Sequence, residues 1–547
     1  MSEKVLVIAE KPSVAADIAR ALGGLQREKD YFEGEHYVVS SAVGHLLELV
    51  VPEKYDVKRG KWTFTHLPML PPNFDLKPIK KSEEKLKTLK RLMKRADIVS
   101  VINACDAGRE GELIFRYIIQ AAKCKKPIQR LWLQSMTPAA IREAFKNLRS
   151  DAEMQHLADA ARSRSEADWL VGINGTRAMT AFNSKDGGFF LTTVGRVQTP
   201  TLAIVVEREE KINAFQSQKY WEVHANITCQ AGQYSGVWFD SHFKKSETNP
   251  HLKADRIWDV DQAKALCEKL NRAQGTVSES AKRTTQLSPL LFDLTSLQRE
   301  ANNRFGFSAK TTLALAQALY EKHKALTYPR TDARALPEDY LGTVNQTLTM
   351  LAESTRYVTS VQQIQNNRWV KPTKRVFDNS KISDHFAIIP TLQAPKKLSE
   401  AEEKIYDLVV KRFLAVFFPA AEYDVTTRIT HVNDEELKTE GKVLVNPGWM
   451  AVYGREGSQE PTLVPVEQGE KVRVDAVELQ EKATKPPARY TEATLLSAME
   501  GAGKLVEEDD LREAMAGKGL GTPATRAAII EGLLLQNYLR REGRDLF

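Results

Sequence analysis

The 547-residue chain has no apolar run approaching the roughly 18 to 20 residues that span a bilayer, which argues against a helical membrane protein. Met1 to Glu10 leads straight into the strand-like VLVIA without the layout of a signal peptide, so a cytoplasmic address is expected. Cysteine is scarce. Cys105, Cys124, Cys229 and Cys267 include no CxxC pair, so neither a disulfide framework nor a zinc ribbon is readable. A nucleotide-driven motor also lacks its signature: around GAGKL, the pattern GxxxxGK[ST] would need Gly at Ala498 and Ser or Thr at Leu505. Internal repeats and low-complexity segments are absent. The nearest charge run, Lys77 to Arg95, keeps Leu86, Leu89 and Met93 at helical spacing and reads as the solvated face of an amphipathic helix.

What is present describes an ordinary globular protein, 42% hydrophobic and 27% charged, long enough for roughly three or four domains. Its 78 Lys and Arg against 71 Asp and Glu leave a net charge of +7, which permits a nucleic-acid partner without requiring one. The first 150 residues alternate apolar strands (Val5 to Ala9, Ile98 to Ala104, Leu131 to Leu133) with helices (Ser13 to Leu22, Glu112 to Ala122), the pattern of a parallel sheet with crossover helices. Helical periodicity follows to Arg208. Strand alternation then occupies Lys219 to Asp240 and returns in EYDVTTRITHV and KVRVDAVEL, with a mostly helical stretch from Ala281 to Pro390 between. The chain thus leaves a β region and comes back, as an inserted domain on a β arm would require.

Two carboxylates end apolar strands: Glu10 after VLVIA and Asp106 after VSVINAC, with Gly108 and Gly111 permitting a tight turn and Glu110 and Glu112 opening the next helix. In open α/β sheets the crevice beyond the strand ends is where ligands bind, and Mg²⁺ takes such oxygen ligands beside substrate phosphates. Acids at helix starts also simply complement the dipole, an equal reading for Glu112 alone. Tyr328 in ALTYPRTDAR is pushed out of the α region by Pro329 and has Arg330 two residues on. A phenol of pKa near 10 needs such a cation to act as a nucleophile, although a strand tyrosine beside a salt-bridged arginine looks the same. His385 before an apolar strand, and Gly195, Arg196 and Gln198 in VGRVQTPT, suit phosphate contacts or plain structural roles. Gly519, Gly521, Thr522, Pro523 and Arg526 read as a helix start with N–H groups available to an anion.

The ordered series VIAEKPSVA, DAGREGELI, EADWLVGIN, VGRVQTPTLA, LTYPRTDAR, SDHFAIIPT and GLGTPATR resembles the type IA DNA topoisomerases, most closely their bacterial topoisomerase III branch. The resemblance implies a multidomain α/β plus α+β toroid with an N-terminal Toprim parallel-sheet domain. Its parts would be a Toprim metal domain (1–150), a helical DNA-binding domain in two parts (151–215 and 481–547), a β arch in two parts (216–280 and 400–480), and a gate carrying the nucleophile (281–399). It further implies ATP-independent cleavage of single-stranded or underwound DNA by Tyr328, leaving a 5′-phosphotyrosine, followed by strand passage and resealing. Glu10 would then be general acid and base, Lys11 would stabilise the phosphoryl charge, Arg330 would assist Tyr328, and Glu10, Asp106 and Glu110 would hold Mg²⁺. Arg164, Asp168, Gly195, Arg196, Gln198 and His385 would contact DNA. A helicase or single-strand-binding protein would be a natural partner; zinc and membranes would not. A Toprim nuclease or primase, or an inactive DNA-binding relative, is the alternative. The family's usual acidic motif is Asp-x-Asp-x-Glu, but Gly108 takes its middle position here, and NYLRREGRDLF reads as the first half of a hairpin with more chain expected after it.

Overall fold

The computed structural model describes residues 3–58, 61–133, 136, 138–247, 249–382, 385–454, 463–505 and 519–547. Its first unit is a seven-stranded sheet. In chain order the strands are β1 (Lys4–Ala9), β2 (Gln26–Arg27), β3 (Tyr31–Glu33), β4 (Tyr37–Ser41), β7 (Ile98–Ala104), β8 (Ile128–Arg130) and β9 (Arg149–Ser150); a side hairpin of β5 (Leu47–Leu49) and β6 (Leu76–Pro78) lies apart from it. The spatial order is β2-β3-β4-β1-β7-β8-β9, with β1 parallel to both β4 and β7.

The apolar run of β1 follows from its central place, because a parallel strand covered by helices on both faces has no polar side to show. Leu6 and Ile8 pack on one face with Phe115 of helix α3 (Arg109–Ala122) and with Leu86 and Leu89 of α2 (Glu83–Met93). Val7 and Ala9 pack on the other with Ile18 of α1 (Pro12–Leu22) and Ile141 of α4 (Pro138–Lys146). One expectation is corrected here: the strand after α3 is Ile128–Arg130, and Leu131 to Leu133 lies beyond it.

A capping box of Ser150 and Glu153 then starts α5 (Asp151–Asn183), 33 residues long, which a loop joins to α6 (Gln198–Asn213). A closed six-stranded barrel follows, ordered β10-β11-β14-β13-β12-β15. Its members are β10 (Lys219–Cys229), β11 (Gly232–Trp238), β12 (Gln274–Gln286), β13 (Ala421–Val432), β14 (Glu435–Asn446) and β15 (Lys471–Ala483), and α7 (Val260–Leu270) packs on its core.

The excursion between β12 and β13 is helical: α8 (Leu294–Phe305), α9 (Ala309–Glu321), α10 (Leu341–Leu351), α11 (Val358–Asn366) and α12 (Glu400–Ala415). One apolar core joins Leu297, Leu348 and Ile388 to Ile405, Val409 and Phe413. The break expected at residue 400 therefore falls inside a core, since α12 buries its apolar side among the helices before it. After β15 the chain forms β16 (Tyr490–Thr491), α13 (Glu492–Glu500), α14 (Pro523–Leu535) and the strands β17 (Arg541–Glu542) and β18 (Asp545–Leu546). Strands β17 and β18 pair with each other, and β18 also pairs with β16, so both halves of the hairpin are present where only the first was expected. Among the described residues no helix is long and apolar enough to cross a membrane.

Candidate active site at the strand ends

Adjacent parallel strands β1 and β7 end side by side, with Ala9 paired to Ala104, and so deliver Glu10 and Asp106 to one crevice. Lys11 is the N-cap residue of α1, ahead of Pro12 at the first helical position. Its Nζ lies 2.6 Å from Asp106 Oδ2 and 3.4 Å from Glu10 Oε1.

The turn that presents Asp106 is tightly built. Gly108 N–H donates to the Asp106 carbonyl at 2.8 Å. A Cβ on Gly111 would fall 2.2 Å from that same carbonyl oxygen, so only glycine fits beneath it. Gly108 has φ −169° and ψ −176°, an extended backbone open to any residue, so backbone conformation does not account for it. Beneath the turn lies Arg130, 1% exposed. It donates to the carbonyls of Cys105 and Asp106 at 2.6 Å each and to that of Asn103 at 3.0 Å, fixing the end of β7. Glu112 turns inward as well, accepting from Arg116 Nε at 2.8 Å and Asn103 Nδ2 at 3.0 Å, which makes it a structural residue.

The excursion brings Tyr328 to the same crevice. Thr327 N–H donates to the Ile389 carbonyl at 3.0 Å and Thr331 Oγ1 to the His385 carbonyl at 2.8 Å, so the tyrosine segment runs beside the histidine segment. The rings of Tyr328 and His385 lie 4.2 Å apart, His385 Nε2 is 3.2 Å from Asp106 Oδ2, and Lys11 Nζ is 4.6 Å from the Tyr328 ring centre. Ser383 and Asp384 of the SDHFAIIPT motif lie outside the described residues. Arg330 is exposed, and of the two cations that lower the Tyr328 pKa it counts after Lys11.

The electrostatics divide the groups. Burial and then the Asp106 charge push Glu10 above the usual carboxylate range, leaving it fit to carry a proton. Burial would raise Asp106 too, but the His385 hydrogen bond and charge and then Lys11 hold it well below that range. Burial works against the Lys11 ammonium, yet Asp106 and Glu10 outweigh it and keep the lysine charged. Burial raises the Tyr328 phenol, with Lys11 and Arg330 opposing.

The expected metal triplet is only partly gathered. Glu10 Oε2 is buried without a hydrogen-bond partner among the described residues and Asp106 is held ionised, so this pair suits a hard cation. Glu110 instead bonds His45 Nε2 from the loop after β4. Among the described residues no three His, Cys, Asp or Glu side chains are placed to hold a metal ion. Lys11 already bridges the two carboxylates.

Next to this centre, Arg196 Nη1 lies 3.3 Å from Asp168 Oδ1 and donates to the Arg164 carbonyl at 3.3 Å, which joins the VGRVQ loop to α5. Arg164 also acts electrostatically on Glu110. Gly195 meets no close neighbour that demands glycine. Gln198 is turned away from the crevice, donating to Thr193 Oγ1 at 3.0 Å and Gln536 Oε1 at 2.9 Å. In GLGTPATR, Thr522 is the N-cap and Pro523 the first residue of α14, as expected, while Arg526 is buried and donates to the Leu520 carbonyl and to Thr295 Oγ1. The sequence reading missed Arg130 and His45. A lone buried arginine makes no motif, whereas VGH at the end of an apolar strand was a usable signal.

Comparison with known proteins agrees with this geometry. Residues 152–547 match the family model described as DNA topoisomerase, and residues 5–136 match the Toprim domain. The chain belongs to the type IA DNA topoisomerases. It is 41% identical over 558 residues to DNA topoisomerase 3 of Bacillus subtilis (strain 168), covering 100% of this chain and 74% of that protein. Against DNA topoisomerase 3 of Shouchella clausii (strain KSM-K16) the identity is 40% over 550 residues, with 99% and 73% covered. Full-length topoisomerase I of Thermotoga maritima matches in fold with a TM-score of 0.65 at 24% identity, over 99% of this chain and 80% of that one. The mixed α/β toroid with an N-terminal Toprim domain is thus the architecture of this chain.

Proposed function

We propose that the chain breaks and rejoins single-stranded or underwound DNA without ATP, with Tyr328 as the nucleophile, and so relaxes negative supercoils or decatenates DNA. The observation that carries this is the meeting of Tyr328 with Lys11, Glu10, Asp106 and His385 in one crevice, from segments of chain far apart in sequence. The phenol releases its proton to solvent, the phenolate oxygen attacks a backbone phosphorus, and the 3′-oxygen of the neighbouring nucleotide leaves as the new P–O bond forms. Lys11 stabilises charge on the phenolate and the phosphoryl oxygens, Glu10 gives its proton to the departing 3′-oxygen and takes it back on resealing, and Arg330 assists from the rim. His385 contacts DNA phosphate and holds Asp106. The phosphodiester energy is conserved through the phosphotyrosine, in keeping with the missing ATP motif.

Mg²⁺ bound at Glu10 and Asp106, with Glu110 released from His45, would neutralise phosphate charge there. Arg164, Asp168, Gly195 and Arg196 form the strand-holding surface beside the crevice, and Gln198 braces its loop. As proposed domains, the Toprim unit spans 1–150, the gate extends through α12 to about residue 418 because its core does, and the barrel and terminal helices form the arch and the DNA-binding body. A nucleic-acid site of this kind is cytoplasmic, and a helicase or single-strand-binding protein would supply its substrate. A Toprim nuclease or primase would need no tyrosine in the crevice.

The test is the polarity of the trapped adduct. An oligonucleotide labelled at its 3′ end should migrate with the protein on a denaturing gel, and one labelled at its 5′ end should not. The reverse pattern, or free fragments only, would overturn the assignment.

A further inference from the structure

Helix α5 carries a surface that the crevice does not use. Arg164 and Phe182 are about five turns, roughly 27 Å, apart and therefore face the same way. Along that side Val171, Met179 and Phe182 are exposed, Phe182 by 52%. Past the helix end, Gly187 and Gly188 adopt φ of +110° and +81° and double the chain back. Phe190 N–H then donates to Ser184 Oγ at 2.9 Å and Thr192 N–H to Thr180 Oγ1 at 3.0 Å, which returns Phe189, Phe190 and Leu191 along the same helix end, with Phe190 59% exposed. Trp62 meets Phe189 edge to face at 5.8 Å. Cations flank the rings: Arg177 lies 5.2 Å from the Trp62 ring centre and Lys185 lies 5.0 Å from that of Phe182.

Single exposed apolar residues need no explanation, but grouped aromatics on the surface mark an interaction site. Several flat rings with lysine and arginine beside them suit a polyanion that also offers π faces. That is the pattern of single-strand binding, in which bases stack on aromatics and cations follow the backbone. The surface is also continuous, along one helix face, with the Arg164 and Arg196 region beside the crevice.

We propose that Trp62, Phe182, Phe189 and Phe190 form a stacking platform for bases of single-stranded DNA, remote from the bond that is cut and tolerant of sequence. This rests on the topoisomerase reading above.

The test measures binding of the full chain by fluorescence anisotropy to three oligonucleotides: a short one covering the cleaved bond, one extended by about ten nucleotides on each side, and one with abasic extensions. Phe182→Ala/Phe190→Ala should weaken binding of the extended strand on the order of tenfold for each ring removed, about a hundredfold in all. Binding of the short strand and adduct formation should be unchanged, and the abasic extension should reproduce the loss with the wild-type chain. Phe182→Leu/Phe190→Leu keeps apolar bulk without a flat ring and should behave as the alanine pair does. Unchanged affinity of the alanine pair for the extended strand would overturn the platform, as would full affinity of the leucine pair or of the abasic strand. A change in self-association alone would instead mark a protein interface and overturn it equally. The platform can fail while the wild type still forms its adduct; absence of adduct on every oligonucleotide would reject the topoisomerase reading itself.

Discussion

The ammonium of Lys11 lies 4.6 Å from the centre of the Tyr328 ring, although the two residues are separated by most of the chain's length. A cation so placed favours the phenolate over the phenol in a crevice whose burial otherwise does the reverse. Lys11→Ala should therefore slow single-turnover cleavage of a single-stranded oligonucleotide on the order of 10²-fold, the loss typical of removing one donor to a developing oxyanion. DNA affinity should change little. A cleavage rate equal to wild type would shift the role to Arg330.

Gly108 offers a second test, because its backbone is extended and imposes no positive φ that would favour glycine. With Glu110 paired to His45, Lys11 bridges two carboxylates among the described residues, Glu10 and Asp106. Gly108→Asp should lower the Mg²⁺ concentration at the midpoint of plasmid relaxation, with circular dichroism showing an unchanged fold. A folded variant with an equal or higher midpoint would contradict a metal site weakened by the missing carboxylate.

Gly111 has no room for a side chain. Since a Cβ would overlap the Asp106 carbonyl oxygen, Gly111→Ala must displace the turn or the helix beneath it. Chemical denaturation should show a loss of about 1–3 kcal/mol, as for other overpacked sites, together with slower cleavage as Asp106 moves. Full stability with full activity would show that the turn yields freely.

The rim of the Toprim sheet should respond to acid. Hydrogen bonds from Arg95, against the opposing effect of burial, and then Lys4 bring the Glu33 carboxyl down to about 2 from an ordinary 4.5. A depressed folded-state pKa stabilises fully above the unfolded value and less as pH falls from there toward about 2. Glu33→Gln should thus be less stable than wild type at neutral pH, with the difference shrinking below about pH 4. A difference independent of pH would locate the effect in packing.

Much of this was legible because of how β1 and β7 are buried. Strands covered on both faces must be apolar throughout, and their ends in Glu10 and Asp106 stand out against VLVIA and VSVINAC. Strand β12 escaped notice for the opposite reason: in QGTVSESAKRTTQ only Val277 is buried, so its alternation has almost no apolar member. Its edges are satisfied instead by long pairings with β13, which no local pattern announces. The same holds within the site. Motif residues with charge and glycine spacing were found, while Arg130 acts through backbone carbonyls and Glu110 through an unforeseen histidine, partnerships that only the folded chain creates.

The assignment of Tyr328 as nucleophile is tested most directly by Tyr328→Phe, which keeps the ring against His385 and Lys11 but removes the attacking oxygen. Wild-type and variant chains are incubated with a labelled single-stranded oligonucleotide and resolved on a denaturing gel, with anisotropy reporting binding in parallel. The account predicts that the variant binds the strand as the wild type does and forms no covalent adduct; an adduct from the variant would contradict it.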